Sequence, residues 1–160
     1  ATVDMIDYVC GQFSYPEDRR VLLMATAYQE TKFGTYRDPS LNKHGEGYTQ
    51  FDPSIIEDTL ERTKTKRLRD IERFFDIEFS EINHKQLNNM PLASTILTAL
   101  KYYLVPNRLP RRENFDDMWM YYKKWFNSFA GKATIDEFEE SYNFAMELAE
   151  KYPYGSGLNV

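Results

Sequence analysis

The sequence predicts a mainly α-helical, single domain spanning residues 1–160. Three observations carry this reading. Apolar residues recur at helical spacing through most of the chain, while the alternation expected of strands is weak everywhere. Two segments, 21–28 and 91–104, are apolar on most faces, the pattern of helices buried at the centre of a bundle. The 160 residues are 42% apolar, enough for one substantial core and too much for a disordered chain.

The first helix is expected over residues 3–13, where Val3, Ile6, Val9, Cys10 and Phe13 share a face and Thr2 or Asp4 is available as cap. Gly11 weakens its end. Ser14-Tyr15-Pro16-Glu17 reads as a second start, with proline in the first turn and Glu17 and Asp18 at the positive end of the dipole. Residues 31–51 lack helical period and contain Gly34, Gly45 and Gly47, so a long loop is expected there, with at most a small hairpin. Asp52 as N-cap and Pro53 at the first helical position open the next helix. Leu68, Ile71, Phe74 and Phe75 mark a further amphipathic helix, and residues 80–89 a short one. Residues 106–112, with two prolines, form a connector. Phe115, Met118, Trp119, Tyr122, Trp125 and Phe126 lie on one helical stripe, which 128–131 breaks. The clearest helix is 134–152. Thr134 and Glu137 form a capping box, and Ile135, Phe138, Tyr142, Ala145 and Ala149 face one way.

Composition narrows the function. A formal charge of -5 argues against nucleic acid or an anionic membrane as partner. The basic runs Lys64, Lys66, Arg67, Arg69 and Arg108, Arg111, Arg112 therefore read more simply as solvated faces than as phosphate or nucleic-acid sites, the alternative being a helical phage protein that binds DNA through 64–69. No apolar run reaches the ~20 residues of a membrane span. Cys10 stands alone, so no intrachain disulfide can form. His44 and His84 make neither a metal set nor a nucleophilic triad, and no cofactor is expected. No signal peptide is visible, and Ala1 in place of Met leaves room for processing.

The stretch most suggestive of chemistry begins at Glu30. This carboxylate ends the apolar segment 21–28, at the edge of the expected core. Burial disfavours the charged form and raises its pKa, and the C-terminal end of a helix dipole acts in the same direction. A glutamic acid still protonated near neutral pH can donate to a leaving oxygen, the central need in breaking a glycosidic bond. Taken alone, a glutamate at a helix end is more simply a surface charge.

Three elements set that simple reading aside. Glu30-Thr31-Lys32-Phe33 resembles the Glu-Ser-x-Phe signature of soluble lytic transglycosylases and goose-type lysozymes. Gly47-Tyr48-Thr49-Gln50-Phe51-Asp52-Pro53 is similar to their Gly-Leu-Met-Gln-Ile-x-Pro signature. Phe126-Asn127-Ser128-Phe129-Ala130-Gly131 looks like a variant of their Tyr-Asn-Ala-Gly element, two residues longer. The resemblance covers roughly residues 21–131. It implies a lysozyme-like α fold with a glycan-binding cleft. It also implies cleavage of the β-1,4 bond between N-acetylmuramic acid and N-acetylglucosamine in peptidoglycan. Carried over by position, it makes Glu30 the catalytic acid, Thr31 a neighbouring hydroxyl, Tyr48, Thr49 and Gln50 cleft-lining residues, and Asn127 part of the far wall. Phe126 stands where the family has tyrosine, so a hydroxyl near the glutamate is missing unless Tyr122 supplies it. Aromatic-rich domains of this kind also look like phage wall-perforating proteins. That implies action at the bacterial wall or periplasm, from a virion or at lysis, with other virion proteins as partners.

For a transglycosylase, Glu30 alone serves as acid and then base, giving a 1,6-anhydro product. A hydrolase would need a second carboxylate. Glu46, between two glycines, is the leading candidate. Asp38 before Pro39 reads more simply as a turn residue and Asp52 as a cap. The third expectation is a lysozyme-like virion protein that binds wall or partners without cutting.

Overall fold

Helix α2 (Glu17–Thr31) runs through the centre of the protein, and every residue from 21 to 27 on it is buried. The description rests on a computed structural model and covers residues 2–12, 17–31, 53–82, 90–127 and 133–153. Around α2 lie α1 (Thr2–Gln12), α3 (Pro53–Arg62), α4 (Thr65–Phe75), α5 (Pro91–Tyr103), α6 (Phe115–Tyr122) and α7 (Ile135–Lys151). A short 3₁₀ turn (Phe79–Glu81) follows α4, and a π-turn (Lys123–Asn127) extends α6. The described residues are mainly helical and contain no strand.

The second apolar segment forms α5, buried continuously from residue 93 to 100 and again at Tyr102. The most extensive packing of α2 is against α7, with further contacts to α1, α5 and α6. Residues from these helices and from α4 join in one core, which includes Ile6, Leu22, Ile71, Leu97, Tyr122 and Phe138. Each large apolar side chain withdrawn from water in this way contributes about 1.5–3 kcal/mol before the entropy of ordering it is charged.

Several polar groups inside the core are paired. Arg20 is fully buried and forms a two-pronged ion pair with buried Asp7 of α1. The same guanidinium donates to Glu17 at 3.2 Å and to the backbone carbonyl of Tyr152. One side chain thus joins α1, α2 and the end of α7. Thr26 and Thr98 return their hydroxyls to the carbonyls of Leu22 and Ser94, four residues earlier, at 2.8 and 2.9 Å.

Helix ends follow local chemistry. Thr134 accepts from the Glu137 N–H at 3.3 Å, and Asn114 caps α6 through the Asp117 N–H. Pro53 and Pro91 occupy first-turn positions. Asp76 ends α4 in the left-handed conformation (φ 55°), which Asp tolerates better than most residues.

Several expectations need correction. Phe74 is 55% exposed, although it was placed on the core stripe of α4. Leu68, Ile71 and Phe75 define the inward face, and Phe74 lies on its flank, edge-on to Phe75 at 5.2 Å. Ile135 is 43% exposed, because the inward face of α7 begins at Phe138, one turn further on. Where the short helix of 80–89 is expected to begin, residues 79–81 form a three-residue 3₁₀ turn, and residues 83–89 lie outside the described residues. The Phe79 N–H donates to the Glu72 carboxylate at 2.9 Å, and the chain is extended again by Ile82. The expected loop and hairpin of 31–51, the cap at Asp52 and the break at 128–131 lie outside the described residues, apart from Thr31 at the end of α2.

Candidate functional site

The last turn of α2 is fixed to its neighbours residue by residue. Tyr28 stacks on Phe144 of α7 with ring centroids 4.3 Å apart. Gln29 Oε1 accepts from the Ser141 hydroxyl at 2.8 Å. Glu30 turns the other way and accepts a hydrogen bond on Oε1 from the hydroxyl of Tyr122. The position of the carboxyl group is therefore set by packing on two sides of the helix.

Tyr122 is itself immobilised. It is fully buried at the end of α6, with its ring stacked on Phe138 (4.7 Å, 14° between planes) and on Phe126 (6.0 Å, 20°). Phe126 stacks in turn on Tyr102 of α5 at 5.5 Å. The column from Phe138 through Tyr122 and Phe126 to Tyr102 joins α7, α6, the π-turn and α5. Tyr102 closes it with a 2.7 Å hydroxyl–hydroxyl bond to Thr26 of α2.

The electrostatics follow from this burial. Half-buried Glu30 has its carboxyl pushed up from an ordinary 4.5 to about 7, chiefly because the surroundings withhold water from the charged form. The Tyr122 hydroxyl, Lys101 and Lys123 pull the other way, since each favours the carboxylate. The Tyr122 hydroxyl is pushed well above its ordinary value by burial and by the neighbouring carboxylate, so it remains a donor. Lys101 of α5 is lowered to about 8 by burial, against the opposing pull of Glu30 and of Asp58 on α3. The result is a carboxyl group half protonated near neutrality.

Asn127 belongs to the same cluster. Its side chain slightly offsets the upward push on the Tyr122 hydroxyl, and its Oδ1 accepts from Lys123 Nζ at 2.8 Å. The structure thus brings together Glu30, Tyr122 and Asn127 from the residues singled out in the sequence. Thr31 closes α2, but its side chain lies outside the described residues, as do Asp38, Glu46, Tyr48, Thr49, Gln50 and Asp52. Sequence reasoning missed Lys101 and Lys123. Lys101 had a signal, being the sole charged residue in the apolar segment 91–104. Lys123 had none.

The basic runs are on ordinary surface. Lys64, Lys66 and Arg69 are exposed, and Arg67 lies over the Tyr103 ring at 3.9 Å. Arg112 bonds Glu17, Glu113 and, through its backbone N–H, Asp18. Trp119 and Trp125 are half-buried against the core. No helix among the described residues is long and apolar enough to cross a membrane. Comparison with family models, curated proteins and solved structures finds no match to this chain.

Proposed function

We propose that this protein is a peptidoglycan-cleaving glycosidase of the lytic transglycosylase type, with Glu30 as its acid and base. The observation that carries the reading is the Glu30–Tyr122 pair. A carboxyl group half protonated at about pH 7 accepts a hydrogen bond from a buried tyrosine hydroxyl. The resemblance of the Glu30, Gln50 and Asn127 elements to the transglycosylase and goose-type lysozyme signatures calls for such a hydroxyl. Phe126 does not supply it, and Tyr122, one helical turn earlier, does.

In this mechanism Glu30 gives its proton to the glycosidic oxygen as the bond to C1 of the muramic sugar breaks through an oxocarbenium-like state. The carboxylate left behind is stabilised by Tyr122, Lys101 and Lys123. It then takes the proton of the C6 hydroxyl while O6 closes on C1. The product is a 1,6-anhydromuramic end, and Glu30 regains its proton. The glycan strand would lie in a lysozyme-like cleft beside Glu30, at the bacterial wall or periplasm. Delivery by a virion, alongside other virion proteins, is the setting that fits the phage resemblance.

Mass spectrometry of soluble products from purified peptidoglycan tests this reading, comparing wild type with Glu30→Gln. The expected result is anhydromuropeptides from wild type alone. Reducing muropeptides would make the protein a lysozyme and direct the search for a base to Glu46, Asp38 and Asp52. Absence of product from either protein, on several wall types, would leave the non-catalytic virion reading.

A further inference from the structure

Two lysines from different elements converge on the π-turn that completes the Glu30 site. Lys101 Nζ, on α5, donates to the backbone carbonyl of Phe126 at 3.1 Å and lies 4.6 Å from the centre of the Phe126 ring. Lys123 Nζ, inside the turn, donates to Asn127 Oδ1 at 2.8 Å and to the carbonyl of Ala133 at 2.9 Å. A helix end leaves carbonyls without intrahelical partners and carries partial negative charge, so cations are the natural groups to satisfy it. A π-turn is a local departure from α geometry that recurs at functional sites. Both lysines also lie within electrostatic reach of the Glu30 carboxylate.

We propose that Lys101 and Lys123 are positioning residues of the Glu30 site, clamping the Lys123–Asn127 π-turn so that Tyr122, at the turn before it, is held against the carboxyl group. They act through Tyr122 and through their charge, and require no contact with substrate. The clamp itself follows from the geometry. Its effect on turnover rests on the glycosidase reading above.

The groups acting on Glu30 come from three elements: Tyr122 of α6, Lys123 of the π-turn, and Lys101 of α5. Tyr102 of α5 also senses its charge. Lys101 is in turn acted on by Asp58 of α3. Removing the charge at Lys101 withdraws one of the influences that favour the carboxylate, so Glu30 must hold its proton to higher pH.

The test is an NMR titration of the ¹³C-labelled Glu30 side-chain carboxyl, assigned by its loss in Glu30→Gln. It is run on wild type, Lys101→Met, Lys101→Arg and Lys123→Met, with a thermal melt to show that each is folded. Methionine keeps the aliphatic stem and removes the charge; arginine keeps the charge and a donor. The midpoint is expected to rise by about one pH unit in Lys101→Met and to stay near wild type in Lys101→Arg. For Lys123→Met, kcat on peptidoglycan is expected to fall about tenfold or more with KM unchanged, since misplacing a catalytic group costs turnover rather than binding. An unmoved midpoint in Lys101→Met, or unaltered kcat in Lys123→Met, overturns the proposal. If wild type cleaves no wall yet the midpoint rises in both Lys101→Met and Lys123→Met, the positioning role stands and the glycosidase reading falls.

Discussion

Glu30 should make the folded protein less stable as pH rises, and replacing it with glutamine should reverse this. Its carboxyl ordinarily titrates at 4.5 and does so at about 7 in the fold. Below pH 4.5 both folded and unfolded chains hold the proton, and the site is neutral in both. Between 4.5 and 7 the folded chain keeps a proton that the unfolded chain has lost, so stability falls with pH. Above 7 the whole cost is present. Each pH unit between the two values corresponds to 1.36 kcal/mol, giving about 3 kcal/mol in all. That is a large share of the 5–15 kcal/mol that typically holds a domain together. Glutamine is close in shape, accepts from Tyr122 through its carbonyl oxygen and does not ionise. The stability difference between Glu30→Gln and wild type should therefore grow in favour of the variant by about 3 kcal/mol from pH 4 to pH 7.5. A part of that gain is lost because Lys101 no longer faces a carboxylate. Urea unfolding at a series of pH values measures it, and comparing differences across pH cancels any constant effect of the amide. A difference that stays flat from pH 4 to 7.5 would refute the claim that burial holds the proton on Glu30.

Three further outcomes are expected. Tyr122→Phe keeps the stack on Phe138 and Phe126 but removes the hydroxyl bonded to Glu30. A hydrogen bond to a charged group is worth about 1.5–3 kcal/mol, so the carboxyl midpoint should rise by about one to two pH units, read by the same ¹³C titration. Asp7→Ala leaves Arg20 buried without its main partner and should cost about 3–5 kcal/mol in denaturant unfolding near neutral pH. Thr134→Ala removes the cap of α7 and should cost about 1 kcal/mol by the same measurement.

The legible parts of the fold were those set by local chemistry. Continuous apolar runs announced α2 and α5 as central because a helix with no polar face has to be buried on all sides. Pro53 and Thr134 marked helix starts through rules that involve only the adjacent turn. Glu30 was legible as a carboxyl group at the core edge for the same reason: its burial follows from the residues preceding it. The ion pair of Asp7 and Arg20 was not legible. The partners are 13 residues apart on different helices, and either charge read alone belongs on the surface. Lys101 shows the intermediate case. A solitary cation in an apolar helix signals a buried partner, yet nothing in the sequence says that the partner is a backbone carbonyl at Phe126 and a carboxylate at Glu30.

The π-turn bears on where the hydroxyl beside Glu30 comes from. The resemblance sets Phe126 where the family has tyrosine and leaves Tyr122 to supply the hydroxyl. The helix widens over Lys123–Asn127, and such a turn alters which side chains share a face. Phe126 enters the core stack, and the hydroxyl comes from Tyr122 at the last α-helical position. Asn127 is tied within the widened turn by Lys123, whose Nζ donates to its Oδ1. Register in a helix is held only by backbone hydrogen bonds and by what packs outside it. Here Lys101 and Lys123, with the Phe138–Tyr122–Phe126–Tyr102 column, hold the altered register from three neighbouring elements. The same side chains therefore stabilise the irregular helix and set the proton affinity of Glu30. Substitutions that relax the turn toward α geometry should leave the core apolar and the protein folded, while Tyr122 loses its hold on the carboxyl group.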